Sequence, residues 1–195
     1  MSQNQSQQIP PAKLMVITGI TAVLFVGGLL LTEFAGIPEF FGDTDFKPFF
    51  LPYLLAALLP YGAATLSVGF GMALGEGILD VVEGYAADDA FGFFGYVVGL
   101  WAFAYVLHRW GDPTNKTHMS IAAVVGAFVQ IAIEGVAYLV IDGETATFYA
   151  INVVGNTVTH GIVLGAIPLV IVYPLLHGRI ERYLGFAPQG SSSAN

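Results

Sequence analysis

The stretch Phe49 to Glu83, FFLPYLLAALLPYGAATLSVGFGMALGEGILDVVE, decides how the chain is read. About 20 apolar residues carry a helix across a bilayer, so this run is too long for one crossing. Pro60-Tyr61-Gly62 interrupts it. Proline removes a backbone donor and clashes with the preceding turn, and glycine permits a reversal, so the run divides into a short helix, Phe49 to Leu59, and a full one, Gly62 to Glu83. The short member is expected to be tilted, kinked or re-entrant.

Four further segments flank this pair. Leu14 to Phe34, Phe91 to Trp110 and Met119 to Ile141 each have spanning length, bounded by polar or turn residues. Ala146 to Leu176 is one long span, expected to bend at Pro168 and Pro174. The expected fold is therefore all-α, a polytopic bundle of six transmembrane helices over residues 14–185, with disordered cytoplasmic tails at 1–13 and 186–195. Composition agrees: 55% of the 195 residues are hydrophobic, 10% are charged, and the mean hydropathy is +0.72. A soluble domain of that composition lacks the polar surface to cover itself. The first apolar run follows a single lysine and lacks a small-residue cleavage pattern, so it reads as a retained helix.

Basic residues orient the bundle, because Lys and Arg accumulate in short cytoplasmic loops. With six segments and an inner amino terminus, Lys13, Arg109, Lys116, Arg179 and Arg182 fall inside, and Lys47 alone falls outside. The acids Glu39, Asp43, Asp45, Asp88, Asp89, Asp142 and Glu144 then face out. Both termini are expected in the cytoplasm, and the protein in the plasma membrane. Cysteine is absent, which excludes disulfides, thiolate metal sites and cysteine nucleophiles.

Ionisable groups at membrane depth cost roughly 2.5 to 3.5 kcal/mol each on insertion scales, so those retained face a cavity or a partner. Glu76, Asp80 and Glu83 share one helical face at i, i+4 and i+7. Gln130 and Glu134 share another; Asn152, Asn156 and His160 share a third, with Thr157 and Thr159 beside them. All but His160, near mid-depth, fall in the outer half of their spans. Three stripes at matching depth predict a hydrophilic pocket toward the outside. The plainer reading is that they only hydrogen-bond one another to hold the bundle.

Glycines at 69, 71, 75, 77, 92, 95 and 99 give small-xxx-small faces for close helix packing. Gly75 and Gly77 have a second reading, backbone exposed to a ligand beside Glu76. The outer loop, Gly36 to Pro48, sets Phe40, Phe41 and Phe46 among Glu39, Asp43 and Asp45. It reads equally as a lid or an interfacial aromatic belt.

The six-segment plan, the stretch Leu51 to Glu83 with its short helix running into a Gly-rich, acid-ended one, and the polar-studded last helix resemble the substrate-binding S components of energy-coupling factor (ECF) transporters. These small membrane subunits capture vitamins or metal ions for an ATP-driven complex. The resemblance extends over Leu14 to Tyr183. It implies a binding protein, not an enzyme, holding a small polar solute in the outer half of the bundle under the first loop, with Glu76, Asp80, Glu134, Asn152, Asn156 and His160 as candidate lining. It implies a coupling (T) subunit and ABC-type ATPases as partners, since the chain has no phosphate-binding loop of its own. Neither a cofactor nor a nucleic-acid partner is expected. The family's small-residue contact to the coupling subunit maps onto Thr18 and Ala22. Residues 1–12 contain no histidine, which disfavours its nickel and cobalt branch.

Two other functions compete. A divalent-metal permease or metal-dependent membrane enzyme would coordinate its ion through Glu76, Asp80, Glu134 and His160, a donor set suited to Mn, Fe or Zn. A structural or assembly protein would use the polar stripes only as staples. His108, His118 and His177 lie at cytoplasmic helix ends, where they snorkel or face water.

Overall fold

Hydrocarbon offers the backbone no hydrogen bonds, so a chain this apolar satisfies its peptide groups within helices. The computed structural model describes residues 9–35, 43–87, 89–110 and 112–188, the side chain of Glu83 excepted, and these are helices joined by turns, without a β-strand. Expectations resting on Glu39, Phe40, Phe41, Asp88, the Glu83 carboxylate, residues 1–8 and residues 189–195 lie outside the described residues. The helices are α1 (Pro11–Phe34), α2 (Phe50–Leu58), α3 (Ala63–Glu83), α4 (Asp89–Arg109), α5 (Lys116–Glu134), α6 (Val136–Val140), α7 (Ala146–Asn156), a π-helical stretch (Thr157–Ala166), α8 (Ile167–Leu176) and α9 (Ile180–Tyr183). Five helical runs are long and apolar enough to cross a membrane: Pro11–Phe34, Ala63–Val82, Asp89–Arg109, Lys116–Val140 and Ala146–Leu176.

The short helix is the pivot of the architecture. At about 1.5 Å per residue, nine residues cover roughly half of a hydrocarbon core about 30 Å thick. Pro52 to Leu58 are all buried, and α2 touches α1, α3, α4, α8 and the π-helical stretch. A helix apolar all round belongs in the interior, and α2 is a central peg inside the ring of longer helices. It stops where the sequence says it must: Leu59, preceding Pro60, is extended at φ −105 and ψ 154, and Gly62 takes φ 118 to turn the chain into α3.

Helix directions follow from who touches whom. A β-carbon on Gly71 would lie 2.6 Å from Thr21 Cβ, and one on Gly75 would lie 3.0 Å from the Ala22 carbonyl, so α1 and α3 run parallel in close contact. The loop before α2, together with α2, therefore makes the return leg between them. Gly95 packs on Gln130, and Gly161 on Val124, giving antiparallel α4–α5 and α5–π pairs. Close packing, the favoured reading of the glycine faces, accounts for Gly69, Gly71, Gly75, Gly95 and Gly99. The described ends of the chain meet at one end of the bundle, where Lys13 Nζ lies 3.5 Å from the Phe186 ring centroid and 3.4 Å from the Gly185 carbonyl. Helix α1 starts at Pro11, three residues before its expected start, because proline at a first helical position forfeits no bond.

The last span stays helical from Ala146 to Leu176, but its middle is wound as a π-helix upstream of Pro168. Pro168 has no N–H to give, and its ring crowds the carbonyl four residues back. Ile167 N–H accordingly bonds to the Ile162 carbonyl, five residues away. The missing side chain of Gly165 makes the wide turn possible, since a β-carbon there would collide with the His160 carbonyl. Where the sequence led to the expectation of a bend at Pro168, the span is wound wider just upstream of it, in the stretch that carries the buried His160.

Candidate functional site

Beyond the N-terminal end of α2 the ring has no helix to fill its axis, and residues 43–48 run there. Thr44 rests on Gly155, where a β-carbon would collide with Thr44 Oγ1. Asn156 uses both ends of its amide: Nδ2 donates to the Asp43 carbonyl at 2.9 Å, and Oδ1 accepts from Asp45 N–H at 3.0 Å. Asn152 Nδ2 adds a longer bond, 3.3 Å, to the Asp43 carbonyl. His160, 1% exposed, places Nε2 2.5 Å from Asp45 Oδ1 and stacks on Phe49 with centroids 4.6 Å apart. Asp43 holds a left-handed φ of 53, which Asp tolerates better than most residues, within this clamp.

Lys47 then turns its ammonium into the bundle. Nζ lies 2.7 Å from Glu76 Oε1 and 3.4 Å from Asp45 Oδ2, and donates to Tyr96 Oη at 3.1 Å. Burial alone would lower the Lys47 pKa, but Asp45 and Glu76 beside it drive it well above the usual lysine value. Burial would likewise raise the Asp45 carboxyl; the Lys47 charge and then His160 outweigh it and hold Asp45 below the carboxylate range. The loop is thus tied down by a half-buried charge cluster in which Lys47 faces both Asp45 and Glu76.

Beside Lys47 opens a cavity of about 560 Å³. Among the described residues its walls carry seven carboxylates, those of Glu33, Asp43, Asp45, Glu76, Asp80, Asp89 and Glu134, against one lysine, Lys47. Tyr85, Phe93, Phe94, Tyr96 and Tyr138 supply aromatic surface, and Gly77 exposes backbone to the same space. Some acids are already engaged: Tyr138 donates to Asp43, Gln130 Nε2 donates to Glu134, and Asp89 accepts from Ala86 N–H. Glu76 Oε2 is buried with no hydrogen-bond partner among the described residues. Such a cavity attracts cations and hydrogen-bond donors and repels anions.

Glu76, Asp80 and Glu134 are brought together as the sequence predicts. Asn152, Asn156 and His160 are not part of the cavity wall; they lie beneath the loop and clamp it. Their expected role as pocket lining is corrected to that of loop anchors. Thr18 and Ala22, expected to meet a partner protein, instead face α3: Thr18 Oγ1 donates to the Ser67 carbonyl at 3.1 Å, and Ala22 is buried against Gly75. The metal set is divided too, with His160 spent on Asp45, and among the described residues no three His, Asp or Glu side chains converge on a common point.

Sequence reasoning passed over Asp45, Lys47, Tyr96 and Tyr138 as site residues. The available signal was Lys47, the one basic residue on the wrong side of the charge bias. A cation set among outer acids has an electrostatic reason to be there. Comparison with family models, curated proteins and solved structures returned no match.

Proposed function

We propose that this protein captures a small, cationic or donor-rich solute in the acid-walled cavity, as the substrate-binding subunit of an ATP-driven importer of the ECF kind. The observation that carries the reading is the convergence of Glu76, Asp80 and Glu134 with the inserted loop around one cavity of about 560 Å³. That volume suits a vitamin-sized molecule. In this reading the chain crosses the plasma membrane six times, with the short α2 as the second segment, both ends in the cytoplasm and the cavity toward the outside. The Lys13–Phe186 contact supports the ends being on one side, and the basic residues support that side being inner. Energy for release comes from partner ATPases through a coupling subunit. Because Thr18 and Ala22 are committed to α3, that subunit docks elsewhere on the surface.

Native mass spectrometry of gently extracted protein, with thermal-shift screens against vitamins and amines, tests the proposal. The expected result is a retained or added small molecule that raises the melting temperature of wild type and is lost in Glu134→Gln. Absence of any bound molecule together with flat screens removes the capture function and leaves the stapling role for the acids.

A further inference from the structure

Lys47 is held in a way that describes a ligand. Its nitrogen has an acceptor from each of three separate elements: Asp45 Oδ2 from the loop, Glu76 Oε1 from α3 and Tyr96 Oη from α4. An alkylammonium has three N–H donors, so the arrangement offers one acceptor per donor. A guanidinium is planar and favours paired oxygens of one carboxylate, whereas here single atoms gather around one nitrogen, the geometry of a compact point charge.

Nor does the loop depend on Lys47 alone. Asn152, Asn156, His160 and the Thr44–Gly155 contact hold residues 43–45 independently of the lysine. Lys47 rides on a flexible four-carbon stem beside an open cavity, so its head group is free to swing while the loop stays docked. If the head group leaves, the half-buried carboxylates of Asp45 and Glu76 lose a counter-charge, and the second oxygen of Glu76 already lacks a hydrogen-bond partner among the described residues. An incoming cation restores what the ammonium supplied.

We infer that the cavity contains a primary-ammonium subsite, formed by Asp45, Glu76 and Tyr96, which the protein fills with its own Lys47 and which an amine-bearing solute enters by displacing it. The inference rests on the capture reading and sharpens it. Lys47 is a tethered competitor that sets an affinity threshold: a solute gains entry only if its ammonium, plus the contacts of its body with the cavity wall, outdoes the intramolecular ion pair. A quaternary ammonium, with no N–H to offer the three acceptors, is rejected.

The full-length protein in detergent tests this by chemical rescue. Lys47→Ala empties the subsite, and n-propylammonium chloride is then titrated while melting temperature is read, with tetramethylammonium chloride at equal ionic strength as control. The expected result is a saturable rise for Lys47→Ala with propylammonium and none with tetramethylammonium. Wild type should respond only at concentrations about tenfold higher or more, since the tether must first be displaced. The subsite is overturned if propylammonium leaves the variant unmoved, or if both salts act alike. Should Lys47→Ala fail to fold, Lys47→Met keeps the stem and loses the charge; ammonium chloride must then stabilise it above sodium chloride, and equal effects overturn the inference. Failure of the capture reading looks different. A flat wild-type screen beside a rescued variant removes capture and leaves the subsite, whereas a wild-type ligand without rescue does the reverse.

Discussion

His160 Nε2 stands 2.5 Å from Asp45 Oδ1, joining the last long span to the first loop across 115 positions of sequence. The imidazole comes from the π-helical stretch and the carboxylate from a segment with no secondary structure of its own. Asp45 also faces Lys47, so one carboxylate links the anchor beneath the loop to the ammonium that enters the cavity. Loop position and cavity charge are therefore coupled through a single side chain.

Asp45→Asn tests that coupling through pH. Lys47 and His160 depress the Asp45 pKa in the folded protein despite its burial. A depressed carboxylate contributes stability that is fully present above its unfolded value, about 3.9, and is lost as pH falls from there through the folded value. Hydrogen exchange of residues 43–49 should be slower in wild type than in Asp45→Asn at pH 7, and the gap should narrow as pH falls below about 4. Equal exchange in the two proteins at pH 7 contradicts the charge pairing.

Gly155→Ala should loosen the loop by crowding Thr44. The new β-carbon would collide with Thr44 Oγ1 and lie 3.3 Å from Thr44 Cβ, and overpacking of this kind costs about 1 to 3 kcal/mol. Combining it with Thr44→Ala removes the hydroxyl and methyl in the way. The pair should recover a large part of the loss, with a coupling energy above about 0.5 kcal/mol in a double-mutant cycle of thermal or denaturant melts. Additive effects would place Thr44 somewhere other than on Gly155.

Glu134→Gln separates binding from folding. The amide oxygen of the new side chain still accepts from Gln130 Nε2, so the melting temperature of the empty protein should change little. The negative charge at the cavity wall is gone, and loss of one charge-assisted contact should weaken a cationic ligand by roughly 10- to 100-fold. Isothermal titration with whichever amine the screen returns measures this. Equal affinity in both proteins would mean that Glu134 does not face the ligand.

The helical architecture was legible because its causes are local. Pro60 and Gly62 end one helix and start another, and length and apolarity define the five long runs. The meeting of Glu76, Asp80 and Glu134 at one cavity was legible too, since helical spacing fixes which face a residue shares with its neighbours. The step from an expected shared level to a shared role did not follow. The partners of Asn152, Asn156 and His160 are the Asp43 carbonyl and the Asp45 N–H and carboxylate, groups on a loop whose path no periodicity encodes. Lys47 was missed for the same reason: orientation counting treats a lone lysine among acids as noise, while its place in the bundle depends on α2 being too short to fill the axis.

Gly165 gives the most direct test of the π-helical geometry. In an ordinary helix, Gly→Ala stabilises by about 0.5 to 1 kcal/mol through reduced backbone freedom. Here the added methyl would strike the His160 carbonyl, a backbone atom that cannot rotate away, so the wide turn must rewind or the helix must shift. Either response rotates His160 away from Asp45 and Phe49. Gly165→Ala should therefore lower the melting temperature and speed hydrogen exchange at residues 43–49 about as much as His160→Ala does, although the nearest atoms to the new methyl belong to the His160 backbone and Tyr53. An unchanged loop with a more stable protein would mean that this part of the span is a regular α-helix and that His160 reaches Asp45 by another route.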